Sequence, residues 1–177
     1  MNQPSGNIIQ VGACWGDPLA GEIREMRRHY VRLPPEETVS AEITKLTGIT
    51  QDQLDSAGMP LAVAYESVAE LVRREDTIRN LFTWGGNDAS LLVRQAGIRQ
   101  PAFGQTVFDV KKLYQVYRMA TGQKMQSGLA KSMTKLGMVF EGRKHDGLDD
   151  AVNTFRVFHR LLIMMSQLKV DLTQRAP

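Results

Sequence analysis

Cysteine is almost missing from this chain: Cys14 is the only one among 177 residues. No internal disulfide can therefore staple it, which fits a reducing compartment and a fold that rests on its own core. No apolar run approaches the roughly 20 residues needed to span a bilayer. Residues 1–6 carry neither the basic start nor the apolar centre of a secretion signal, so the expected setting is cytoplasmic and away from membranes. A dominant sign of charge is also missing. The 22 Lys and Arg residues face 19 Asp and Glu, for a net charge of +3, which is compatible with a polyanionic partner but does not demand one. There is no internal repeat and no low-complexity linker. What remains, 42% hydrophobic and 23% charged residues, reads as one globular domain over 1–177 that closes on a polar tail at 169–177.

Residues 7–15 are apolar and β-branched and predict a buried strand. Residues 21–33 alternate imperfectly and predict a second strand returning as a hairpin, with a bulge near Arg27 and Arg28, ended by Pro34 and Pro35. Short helices are expected over 40–46, capped by Ser40, and after Thr50. An amphipathic helix over 60–74 follows, then a strand over 77–83 and a helix over 88–96 stopped by Gly97. Val107 closes a short strand ahead of a helix at 109–119, and Ser127 caps another that Gly137 terminates. The last helix is expected over 148–168, with Leu148, Val152, Phe155, Phe158 and Leu162 along one side. A hairpin followed by strands interleaved with helices indicates a mixed-sheet α/β domain.

Two stretches carry chemistry. In Lys144-His145-Asp146-Gly147-Leu148-Asp149-Asp150-Ala151, a loop imidazole precedes a helix whose first turn is acidic. Asp149 and Asp150 either cap that helix at the positive end of its dipole or, with His145, supply a metal ligand and a base. In Thr83-Trp84-Gly85-Gly86-Asn87-Asp88, a strand runs into a glycine turn and delivers a carboxylate to the carboxyl edge of the sheet, where ligands of open α/β folds gather. Asn87 or Asp88 is alternatively a helix cap.

Taken in order, four segments resemble the DEDDh branch of the DnaQ-like 3′–5′ exonucleases, within the RNase H-like superfold. The likeness is to the subgroup that includes the Eri1-type exoribonucleases and the bacterial KapD-like proteins. Residues 7–13 resemble the family's second strand, commonly I-I-E-I/V-G, with Gln10 at the Glu position. Residues 46–51 resemble its T-G-I-T turn. Residues 83–88 resemble T-W-G-x-x-D, and residues 145–151 match H-x-x-L-D-D-A. The similarity covers about residues 7–165.

The resemblance implies hydrolysis of phosphodiester bonds at the 3′ ends of single-stranded RNA or DNA by two Mg²⁺ or Mn²⁺ ions held by four carboxylates. It makes Asp88 and Asp150 two of those ligands and His145 the base that takes the proton of the attacking water. Asp149 is left beside the site. The family's opening strand, which bears Asp-x-Glu and lies between the strands here at 7–15 and 77–83, has no counterpart: residues 1–7 contain no Asp or Glu. The chain thus reads as N-terminally truncated relative to the family: either Met1 is an internal or truncated start, or catalysis has been lost, or the site is completed in trans by another subunit. Weak or no hydrolysis is expected from it, and pairing of two copies through the exposed central strands follows from the gap. The alternative is a nuclease-derived module that binds nucleic acid or protein without cutting. Among the basic residues Arg24, Arg27, Arg28, Lys111, Lys112, Arg143 and Lys144, the favoured nucleic-acid contacts are Arg143 and Lys144, which flank His145. Trp84 either stacks on a terminal base or, the favoured alternative, packs at its strand end. His29 and His159 are expected to be structural.

Overall fold

The computed structural model describes residues 6–74, 79–104, 106–125 and 128–167. In chain order the elements are β1 (Gln10–Asp17), β2 (Glu22–Tyr30), α1 (Ala41–Thr47), α2 (Gln51–Ala57), α3 (Leu61–Val72), β3 (Leu81–Thr83), α4 (Asp88–Gln95), β4 (Val107–Asp109), α5 (Val110–Ala120), α6 (Leu129–Lys135) and α7 (Gly147–Ser166). The mixed α/β architecture matches the expectation, but the sheet is in two pieces. β1 and β2 form an antiparallel hairpin, β3 and β4 a parallel pair, and among the described residues no hydrogen bond joins β1 to β3.

Period-two alternation puts the two faces of β1 to different uses. Gln10, Gly12 and Cys14 face α7, where the Cys14 Sγ donates to the Ala151 carbonyl at 3.6 Å. Val11 and Ala13 face α3 and pack in a core with Val31, Ala64 and Val68. The approach of α7 is close: a methyl group on Gly12 would lie 2.1 Å from the Gly147 carbonyl carbon and the Leu148 nitrogen. Glycine is needed there for want of space. A second core gathers Tyr65, Ala69, Val72, Ala89 and Phe103 under β3 and β4. A third joins α5, α6 and α7 through Val110, Tyr114, Met133, Leu136, Val157 and Leu161.

Several expected boundaries moved. The hairpin irregularity lies between Trp15 and Gly16 on β1, not at Arg27 and Arg28. β2 ends at Tyr30, although the Val31 amide still donates to the Ile9 carbonyl at 2.9 Å while the chain also bridges Met59 on its other side. The strand expected over 77–83 is three residues long, Leu81–Thr83, and the expected Thr77 start lies outside the described residues. Ser127 lies outside them too; α6 has Gly128 as its N-cap, without a side-chain cap bond. α7 begins one residue before the expected Leu148, because Asp146 caps it and accepts from the Leu148 and Asp149 amides at 3.1 Å each. The expected Leu168 end lies outside the described residues. The caps at Ser40 and Thr50 stand as read, the latter as a full capping box with Gln53. No helix among the described residues is long and apolar enough to cross a membrane.

Candidate functional site

The head of α7 is fastened to the hairpin by a network that runs through Asp146, which is buried. Gln10 on β1 uses both ends of its amide: Nε2 donates to Asp146 Oδ2 at 2.8 Å, and Oε1 accepts from the Gly147 nitrogen at 2.5 Å. Arg28 on β2 reaches across to Asp146 Oδ1 at 3.0 Å and Asp149 Oδ1 at 2.9 Å. Asp149 also accepts from the Arg143 amide at 2.6 Å, which closes the loop that carries His145. Burial pushes the Asp146 carboxyl up, but the bonds from Gln10, the Asp149 amide and Arg28 outweigh it and hold its pKa below the usual range. Asp149 therefore has its carboxylate committed to structure.

His145 occupies the left-handed region, φ 66°, which residues with a side chain rarely adopt. Its imidazole is exposed. Strain of this kind gathers at functional sites and persists because neighbours over-determine it; here the neighbours are the Asp149–Arg143 and Asp146 bonds on either side. Asp150 sits one residue past the network, half-buried. Burial, with Asp146 and Asp149 adding like charge, pushes its pKa above the usual carboxylate range, although the His145 amide and imidazole pull the other way. His145 and Asp150 are thus brought together.

Asp88 stands elsewhere. It opens α4 at the carboxyl end of β3, and Asn87, at the N-cap position, makes no side-chain cap bond. Asp88 lines an open cavity of about 370 Å³ with Gly85, Gly86, Asn87, Asp109, Lys111, Lys112 and Gln115. Asp109, opposite Thr83 in the β3–β4 register, caps α5 through the Lys112 amide at 3.1 Å. Burial of its carboxyl and the negative charge of Asp109 raise the pKa of Asp88. Asp109 is a site neighbour that sequence reasoning missed. The available signal was an Asp at the end of a strand directly before a helical stretch, the same pattern that singled out Asp88.

The carboxylates at these two places are hard oxygen donors of the kind Mg²⁺ and Mn²⁺ prefer. Their number falls short: among the described residues, no group of three or more His, Cys, Asp or Glu could hold a metal ion. Trp84 packs at its strand end against Tyr114, ring centroids 6.1 Å apart, at the edge of the third core. Arg143 lays its guanidinium against the Gly48 turn, within 2.0 Å of where a Cβ there would sit. Gly48 itself is left-handed, φ 79°, and ends α1. Of the remaining basic candidates, Arg24 pairs with Glu22, Arg27 with Glu25 and Glu70, and Arg28 with Asp146 and Asp149. His29 and His159 both have structural partners, Ser67 Oγ and the Pro18 carbonyl, each at 2.8 Å.

Comparison with known proteins bears on this site. A protein-family model, Exonuclease (RNase T type), matches residues 1–158. The mouse protein 3′-5′ exoribonuclease 1 is 30% identical over 158 residues, covering 85% of this chain and 45% of its own. The chain spans about half the length of the curated relatives it matches. Among solved structures, the nuclease domain of 3′hExo, a DEDDh family member bound to rAMP, superposes with a TM-score of 0.78 at 26% identity, over 96% of this chain and 88% of that one. S. pombe Pop2p in its Mg²⁺ and Mn²⁺ bound form shares the fold at a TM-score of 0.64 and 16% identity, over 93% of this chain and 71% of that one.

Proposed function

Because the chain belongs to this exonuclease family, with the RNase H-like fold of its DEDDh members, we propose that it works on the 3′ ends of single-stranded RNA or DNA. The observation that carries the reading is the unit at the head of α7: His145 exposed in a strained loop, directly joined to a half-buried Asp150 whose charge is poorly compensated. Asp150 and, from the β3 side, Asp88 would hold Mg²⁺ or Mn²⁺. Bound ions would steady the attacking water and the departing 3′ oxygen. His145 would take the proton from that water, a task suited to an imidazole near neutral pH. Arg143 and Lys144, which flank His145, are the proposed contacts to the nucleic acid, and Trp84 keeps the packing role at its strand end.

Two carboxylates on separate helices, α4 and α7, make half of a two-ion site, so hydrolysis by these 177 residues alone is proposed to be slow. The missing ligands would come with a strand seated between β1 and β3. A second copy pairing through those open edges is one source of it, and a clean monomer in sedimentation counts against that source. The divided sheet and the low donor number also support a second reading, in which the domain binds nucleic acid or protein without cutting.

The test is digestion of 5′-labelled single-stranded RNA and DNA with Mn²⁺, beside Asp150→Asn. Slow stepwise shortening from the 3′ end that vanishes in the variant is the expected result. Strand binding that is insensitive to chelator, with no shortening, gives the case to the non-cutting module.

A further inference from the structure

We propose that Lys111, Lys112 and Gln115 on α5 form a phosphodiester-binding subsite that holds the strand next to Asp88. This rests on the reading above, since it places the substrate of that same site. Three observations converge on it. The first is placement: all three side chains line the open cavity that contains Asp88, at the carboxyl ends of β3 and β4. Lys111 and Gln115 are four residues apart on α5 and so lie one turn apart on the same face. Lys112 flanks them on the neighbouring row, which gives two ammonium groups and an amide donor facing one space.

The second observation is availability. Arg24, Arg27 and Arg28 are already paired with carboxylates. Among the described residues, neither Lys111 nor Lys112 is in an ion pair, although Asp88 and Asp109 share their cavity. The Asp109 carboxylate is occupied as the α5 cap instead. These two ammonium charges are therefore free to meet an anion.

The third is the chemistry of the cavity wall. Two carboxylates and two ammonium groups sum to no net charge, so an isolated anion gains little there. A nucleic-acid strand presents a series of phosphates. One can approach the Asp88 end together with a divalent ion while its neighbour lies on the lysines. Phosphate contacts of this kind position a strand without reading its sequence, and each contributes to the salt dependence of binding.

The test is fluorescence anisotropy with the full chain, a 5′-fluorescein single strand of RNA or DNA, and EDTA to prevent hydrolysis, over a range of salt. Lys111→Gln/Lys112→Gln is expected to weaken binding about tenfold and to reduce the slope of log K against log salt by about 1.4, or roughly 0.7 for each phosphate that no longer meets a lysine. Thermal melting of the same variant should be nearly unchanged, since Lys112 is exposed, Lys111 is half-buried, and neither is in an ion pair among the described residues. Wild-type affinity and slope in the double variant, with weakened binding in Arg143→Gln/Lys144→Gln, would overturn the subsite and leave the exonuclease reading standing. If the wild-type chain bound neither strand at low salt, the exonuclease reading would fail and the subsite with it.

Discussion

Gln10 and Asp146, 136 residues apart in the chain, meet at 2.8 Å, and the same Gln10 amide accepts from the first residue of α7. The donor end of an amide is required, because Asp146 is an ionised acceptor. Gln10→Glu would set a second carboxylate against it in a partly buried place. The expected cost is about 1–3 kcal/mol at neutral pH. In the folded variant each acid opposes the ionisation of the other, whereas in the unfolded chain both carboxyls titrate near their unfolded value. The penalty is therefore absent below that value and sets in as pH rises, so the gap to wild type narrows as pH falls towards about 4. Urea melts at pH 7 and pH 4 measure it, and a gap independent of pH would show that charge is not the cause.

Gly12→Ala tests the seam between β1 and α7. The added methyl meets backbone at 2.1 Å, which no rotamer change relieves. A loss of about 3 kcal/mol or more is expected, at the upper end of what overpacking costs. A variant within about 1 kcal/mol of wild type, close to the range of ordinary surface changes, would mean that the helix can slide off the strand.

Asp150→Asn addresses the site directly. The folded pKa of Asp150 is raised by burial and by its acidic neighbours, so its charge works against folding once pH exceeds the unfolded value near 3.9. Replacing it should raise Tm at pH 7 by roughly 1–3 °C, and the advantage should disappear below about pH 4. Calorimetry with and without Mn²⁺ extends the test: the ion should stabilise wild type more than the variant. Equal stabilisation would remove Asp150 from the ligand set.

His145→Gly separates strain from chemistry. Glycine accepts φ 66° freely, while a side chain there costs on the order of 1–2 kcal/mol, partly offset by the entropy a glycine loses on folding. A net gain of about 0.5–1 kcal/mol is expected, together with loss of any 3′-end hydrolysis. Unchanged hydrolysis would exclude the imidazole as the base.

Much of this molecule is visible in local patterns. Ser40, Thr50 and Gly48 punctuate short helices through bonds that reach four residues or fewer, and their residue types state as much. His145 and Asp150 could be tied together because they sit on one loop and one helix turn. Asp146 was harder to read, since three acidic residues crowd the start of α7 and only the partners decide which one caps. Those partners, Gln10 and Arg28, lie more than a hundred residues away, and no periodicity connects them. Asp109 stayed hidden for a related reason: its neighbour Asp88 follows another strand, β3, and the β3–β4 register is a property of the pair. The break in the sheet was legible only as a missing segment, whereas the way α7 ties to both halves is a matter of packing.

That tie has a mechanical consequence. His145 and Asp150 travel with the hairpin, because Gln10, Arg28 and Gly12 bind the head of α7 to it. Asp88 travels with β3. No ladder of hydrogen bonds among the described residues connects the two strand pairs; side chains do, with Phe158, midway along α7, pressed on Phe82 at 4.5 Å between ring centroids, α3 packed against both pairs, and the Ile8 amide donating to Gln95 Oε1 on α4 at 2.9 Å. Asp88 and Asp150 thus stand on parts of the molecule whose spacing is set by side-chain packing on α3 and α7, not by a shared strand ladder.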